Sequence, residues 1–276
     1  MQKIVLNITN ICIYPVKSLR GVELDHAAVQ NRGFEGDRRW MLIDNNNRFI
    51  SQRECPKMST IRAVQMKDGL SLEFPDQTKI KVLFPDDSND IEKVTIWNST
   101  VEAALADENY NSFISNYLGT PCRLVYMPDW ALRRVNPRFD SGNDIVSFAD
   151  GYPFLIIGRT SLEELNKRLT EPVPMERFRP NLVFSGGEPF CEDNWSRIRI
   201  GEVVFRVVKP CERCVITTID QNSGKPSGPE PLRTLATFRR SAGGTVLFGQ
   251  NMIAENPGPI IKIGDEVEIL EYRDRD

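Results

Sequence analysis

The chain is predicted to be a β-rich α+β protein built in two parts. Its 276 residues exceed the ~100–200 of a single domain. Short segments rich in β-branched and aromatic residues recur between turn clusters through the first hundred residues, the spacing of a small barrel or sandwich. Helical spacing of apolar residues is confined to three short stretches. With 40% hydrophobic and 26% charged residues, the composition is that of an ordinary globular chain, which excludes disorder and collagen-like structure.

Taken in order, Ile4 to Tyr14 reads as a first strand. No basic stretch leads into an apolar run there, and no small-residue cleavage site follows, so it is not read as an export signal. Trp40 to Ile43, Leu70 to Phe74, Ile80 to Leu83 and Val94 to Ile96 are further strands, set off by the turns Asp44 to Asn47 and Pro85 to Asn89. A helix is expected over Asp107 to Leu118, stopped by Gly119 and Pro121, and Cys122 to Met127 resumes a strand. Pro128 to Asp150 reads as a long exposed connection. Phe154 to Ile157 is a buried strand, and Thr160 to Glu164 offers two capping boxes to a helix carrying Leu162, Leu165 and Leu169 inward. Asn181 to Phe184, Arg197 to Ile200, Val203 to Val208 and Val215 to Ile219 are the next strands. Ile200 to Val203 and Ile263 to Val267 look like hairpin turns, and Pro231 to Arg240 is the last helix.

Composition narrows the chemistry. The formal charge is −3 with no basic strip, which argues against a nucleic-acid backbone as partner. No run approaches the ~20 apolar residues of a membrane span. His26 is the only histidine, so sites built from two or three histidines are excluded and a Ser-His-Asp triad would have to recruit this one residue. Six cysteines over this length are too sparse for a disulfide framework, and a reducing cytoplasm is expected.

Lys209-Pro210-Cys211-Glu212-Arg213-Cys214 carries the first chemical signal. Zinc would want a second ligand pair, which is missing. A thioredoxin-like dithiol should open a helix, whereas Val215 to Ile219 reads as a β run. Arg213 puts positive charge beside Cys214, and thiolate is the soft ligand a redox metal prefers. Against this stands the bland reading of two small buried hydrophobes. Lys17, Ser18 and Arg38 could hold an anion, and Arg179 could act as a ligand or as a structural ion-pair partner.

The ordered motifs Y-P-V-K-S, G-D-R-R-W, D-G-Y-P-F-L, F-R-P-N, E-D-N-W, C-E-R-C-V-I-T-T-I-D, E-P-L-R-T-L and L-F-G-Q-N, spread over nearly the whole chain, resemble the MOSC-domain proteins. The resemblance is to the branch of the amidoxime-reducing components and their bacterial relatives. It implies a small N-terminal β-barrel domain over 1–125 and a MOSC β-barrel domain over 126–276, with a few peripheral helices. It also implies a molybdenum-molybdopterin cofactor, with no need for pyridoxal phosphate, and Cys214 as the protein's metal ligand and catalytic residue. Lys17, Ser18 and Arg38 fall where the family contacts the pterin and its phosphate. Arg179 and Asn181 fall on F-R-P-N, and Asp150, Gly151 and Tyr152 on a pterin-side loop. Glu212 and Arg213 flank the metal. Glu212 stands in place of a small residue and Asn251 in place of an aromatic one, departures that bear on substrate choice.

The implied activity is reduction of small N-hydroxylated compounds, hydroxylamines and amidoximes, to amines. The chain has no C-terminal cysteine cluster, so electrons are expected from a separate donor, a reductase with a ferredoxin-like or haem carrier. The alternative is a carrier of molybdenum cofactor or persulfide that does not turn over.

Overall fold

In a computed structural model, which describes residues 5–86 and 88–274, the molecule is organised around one strongly curved sheet of eight strands. Their order is Val22–Leu24, Asn7–Ile13, Leu182–Ser185, Phe154–Gly158, Val246–Ala254, Val203–Arg213, Trp195–Ile200 and Val267–Tyr272. Only the pair Phe154–Gly158 and Leu182–Ser185 is parallel. The sheet curls until Asn7 bridges Glu266, next to its last strand, while the Ile8 N–H donates to Asp265 O at 2.9 Å. Its inward residues, among them Ile8, Phe154, Phe184, Trp195, Phe205 and Met252, form the largest apolar core together with Phe34 from outside the sheet. Phe154 packs edge-on against both Phe34 and Phe205, with ring centroids 5.0 and 5.2 Å apart.

Residues 40–126 build two further sheets. One pairs Trp40–Ile43, Arg123–Tyr126, Ser99–Leu105 and Ile91–Ile96; the other pairs Arg62–Met66, Gly69–Glu73 and Lys79–Leu83. Two small sheets complete the described residues, Ile260–Lys262 with His26–Gln30 and Gly33–Phe34, and Ile219–Asp220 with Lys225–Pro226. The helix Asn109–Leu118 lies against them, closed by Gly119 at φ 71°, a left-handed cap that a β-carbon would strain. The expected strands here are observed to within three residues. Several strands escaped the pattern: Val22–Leu24 and His26–Gln30 are too short to show alternation, and Arg62–Met66, Ser99–Leu105, Val246–Ala254 and Val267–Tyr272 were also not expected. Ile4 and Asp87 lie outside the described residues.

The expected division at residue 125 follows chain order, yet Asn7–Ile13 is hydrogen-bonded to Leu182–Ser185, so the N-terminal strand is part of the sheet built by the C-terminal half. Other expectations are corrected. Pro128 to Asp150 is not simply exposed, because Val135, Val146, Phe148 and Ala149 are buried. Arg133, also buried, ties this loop by donating to the carbonyls of Ser147 and Ala149 at 2.9 and 2.6 Å and of Asp150 at 3.0 Å. The capping boxes are not made. Helix Arg159–Asn166 starts from Gly158 without a side-chain cap, and the Ser161 hydroxyl donates to the buried Glu192 carboxylate instead, at 2.9 Å. Ile263 to Val267 turns between strands of two different sheets and so is not a hairpin.

Val215 to Ile219 is mostly not a strand. Val203–Arg213 runs on through Cys211, and Cys214 caps the 3₁₀ turn Val215–Thr218. The hydroxyls of Thr217 and Thr218 donate to the carbonyls of Cys214 and Val215, at 3.0 and 2.8 Å, offering the backbone an alternative to a ladder.

Asp37 ties the residue that follows the strand Asn7–Ile13 to the turn that leads into Trp40–Ile43. It is fully buried, accepts the Tyr14 N–H at 2.8 Å and receives Arg38 Nη1 at 2.6 Å. Replacing it by Asn leaves the Arg38 guanidinium uncompensated, so Asp37→Asn should lower the unfolding free energy by about 3–5 kcal/mol. Tyr14→Phe, which loses one bond to Pro180 O, should cost only about 1 kcal/mol. Urea unfolding of both variants measures the difference.

Candidate functional site

Every residue expected at the site lines one cavity of about 140 Å³. Lys17, Ser18 and Arg38 come from the N-terminal turns. Asp150, Gly151 and Tyr152 come from the loop held by Arg133, and Arg179 and Asn181 from the entry to Leu182–Ser185. Glu212, Arg213 and Cys214 lie at the end of the long strand, and Asn251 on its neighbour Val246–Ala254.

Arg38 and Arg179 line the cavity, and both guanidiniums pack on the buried Tyr14 ring, each 4.2 Å from its centroid. Arg38 and Arg179 both adopt positive φ, 48° and 53°, and their heads are fixed by acceptors. Arg38 donates to Asp37 and Asn181, and Arg179 to Leu19 O at 2.8 Å. Asn181 is buried and also donates to Cys12 O, so its amide serves the wall more than the cavity. Ser18, at φ 66°, is held from behind by Gln52, which donates to its carbonyl at 2.7 Å and exchanges amide bonds with Gln221.

Arg213 donates to Phe248 O and Phe178 O. Glu212 is exposed and paired with Lys209 at 2.7 Å, which makes it a rim residue. The Asn251 amide donates to Pro210 O at 3.4 Å. Cys211 packs against the apolar cluster of Phe178 and Phe248, and burial pushes its thiol up. The two cysteines of the motif therefore stand in different surroundings.

Sequence reasoning missed Arg53 and Arg177, which also line the cavity. Arg53 Nη2 lies 3.0 Å from Cys214 Sγ. Its only local signal is a polar Ser-Gln-Arg-Glu run between Ile50 and Cys55, in a half of the chain remote from Cys214. With these two included, six cationic side chains face two carboxylates, Asp150 and Glu212, around the cavity. Three guanidinium nitrogens of these residues, Arg53 Nη1, Arg177 Nε and Arg213 Nη2, are buried without an acceptor among the described residues. Each such donor costs about 1–3 kcal/mol unless something bound accepts from it. A larger cavity of about 530 Å³ adjoins across Arg179 and Asn181, but its Arg20 is paired with Glu176 and its Arg62 with Glu73, and none of the orphaned donors lines it.

Residues 5–121 match the family model of the MOSC N-terminal beta barrel domain, and residues 143–268 that of the MOSC domain. The chain is 32% identical to mitochondrial amidoxime-reducing component 1 of Homo sapiens over 95% of its own length and 82% of the relative's. This chain belongs to the MOSC-domain family. The Xenopus laevis amidoxime-reducing component 1 is 31% identical, with 94% and 81% of the two chains covered. Molybdenum cofactor sulfurase of Oryza sativa subsp. japonica is 32% identical over 88% of this chain, which spans 32% of that longer protein. This MOSC-domain chain thus carries both domains, and its relatives associate it with the molybdenum cofactor.

The residues present fit such a group. A phosphorylated pterin is anionic and rich in acceptors, matching the cationic wall and the three orphaned donors, and Cys214 supplies a soft thiol beside them.

Lys17 gives a pH handle. Its side chain is 6% exposed, its ammonium donates to Phe148 O at 2.9 Å and to Asp150, and burial pulls it down to about 8. Asp150 opposes this but sits at the mouth, 60% exposed, where water screens the pair. Unfolding returns Lys17 to its ordinary 10.5. Between these values the unfolded chain binds more protons, so this group's unfavourable contribution is present below pH 8 and relieved above it. Stability of wild type relative to Lys17→Met should therefore rise by about 2–3 kcal/mol from pH 7 to pH 10, measured by urea unfolding at both.

Proposed function

We propose that the protein is a molybdenum-cofactor-dependent oxidoreductase that reduces N-hydroxylated compounds, hydroxylamines and amidoximes, to the corresponding amines and amidines. The observation that carries this reading is the convergence of one thiol, Cys214, with six cations and three orphaned guanidinium donors on a single cavity. Bound there, the cofactor would supply a metal able to take the oxygen of an N–OH group, chemistry the protein's own side chains lack.

The residues divide the remaining work. Cys214 is the metal-binding thiolate, at a strand end where the following 3₁₀ turn fixes its backbone. Lys17, Ser18, Arg38 and Arg179 bind the anionic end of the cofactor, and Asn181 keeps Arg38 aimed. Asp150, Gly151 and Tyr152 line the mouth with Glu212 and Asn251, and these last two are the candidates to meet substrate. The net reaction consumes two electrons and two protons per N–O bond broken and releases water. A separate reductase with a ferredoxin-like or haem carrier supplies the electrons, in the cytoplasm.

The name of the rice relative supports a second reading, in which the domain holds the cofactor or a persulfide on Cys214 without turnover. Benzamidoxime offered to protein reduced by a low-potential dye separates the two, since a carrier yields no benzamidine.

Protein made in a host that supplies the cofactor should hold about one molybdenum per chain. Cys214→Ala should lose the metal and fall below about one-hundredth of wild-type activity, a larger loss than removal of an outer hydrogen bond causes. Metal analysis and benzamidine formation report both effects, and a metal-free active protein sinks the proposal. With NADH alone no turnover is expected, and adding reductase and carrier should restore it.

A further inference from the structure

We infer that Arg53 is a positioning residue for Cys214, delivered to the thiolate by the N-terminal half of the chain. This role rests on the reading of Cys214 as the metal-binding residue. Arg53 follows Gln52, whose fully buried amide pairs with Gln221, so its backbone is anchored across the seam between the two halves. Its guanidinium lies over the Trp97 ring at 4.6 Å and 4.0 Å from the Asp150 carboxylate, and Trp97 itself donates to Asp150 at 3.2 Å. Between these supports Nη2 donates to Cys214 Sγ at 3.0 Å.

The remaining nitrogen decides the matter. Arg53 Nη1 is buried and has no acceptor among the described residues, although the side chain reaches solvent elsewhere and could have turned outward. A planar guanidinium presents parallel N–H groups, so a head that engages the sulfur with one nitrogen can hold a second acceptor on the same ligand with the other. Arg53 thus grips the thiolate and the group bound to it together. An N–H bond to a ligating sulfur withdraws electron density from it and tunes the metal through its outer shell.

Trp97 has the features of a support built for this purpose. It holds a left-handed conformation at φ 53°, unusual for a bulky residue, at the turn between Ile91–Ile96 and Ser99–Leu105. From that two-residue turn its indole reaches the Arg53 guanidinium, although the residue is 42% exposed.

The test uses Arg53→Gln and Arg53→Lys, made with wild type in a host that supplies the cofactor. Molybdenum per chain and the electron paramagnetic resonance spectrum of the partly reduced protein are measured alongside kcat and KM. Arg53→Gln should shift the spectrum and lower kcat about 10–100-fold with KM changed less than threefold, since it touches the metal's ligand and not the substrate. Arg53→Lys keeps the charge but loses the fork, and should shift the spectrum in the same direction by a smaller amount. A spectrum unchanged in Arg53→Gln overturns the inference, and should that variant fail to fold, an unchanged spectrum in Arg53→Lys does the same. Wild type without molybdenum brings down the reading of Cys214 and this role with it, a result distinguishable from an unshifted spectrum on a loaded protein.

Discussion

Two guanidiniums of like charge, Arg38 and Arg179, pack on one tyrosine ring, and the site is built outward from that contact. Arg38 and Arg179 would repel each other in a dry wall were their charges not balanced. The ring's negative faces attract both. The buried carboxylate of Asp37 balances Arg38, and carbonyl oxygens of Leu19 and Arg179 accept from the two heads. Burial pushes the Asp37 carboxyl up, but its bond to Arg38 and the Tyr14 N–H pull the other way and favour the ionised form. Cationic groups are thereby held in place before any anion arrives, so binding does not have to order them.

The same contact explains why the two parts of the chain are interleaved. Tyr14 follows the strand Asn7–Ile13, which pairs with Leu182–Ser185, whereas Arg38 leads into Trp40–Ile43 of the other sheet. A cavity at this seam draws on both halves: Lys17, Arg38 and Arg53 on one side, Arg179, Arg213 and Cys214 on the other. Near-neutral net charge conceals this local excess of cations.

The legible parts of the fold were those with a strong local cause. Trp40–Ile43 and Phe154–Gly158 are apolar runs buried on both faces, and Gly119 stops its helix by needing a left-handed turn. Misreadings arose where a side chain had two partners to choose from. Ser161 belongs to a capping pattern but bonds Glu192 from a distant segment, and Thr217 and Thr218 have strand propensity but bond their own backbone. Arg53 was invisible because its partners, Trp97, Asp150 and Cys214, are 44 to 161 residues away in sequence.

By itself the sequence determined the kind of chemistry this protein can hold. One histidine excludes sites built from two or three histidines, and the lack of a second ligand pair argues against zinc, because these limits depend on which functional groups are present and not on their arrangement; Cys214 as a metal ligand came from the family resemblance. Only the tertiary structure decided which groups act together. It separated Cys211 from Cys214 by packing the former into the apolar cluster, assigned Glu212 to the rim, and brought Arg53 to the sulfur. Hydrogen bonds and burial are set by neighbours in space, and the curl of the sheet, not the order of the chain, chooses those neighbours.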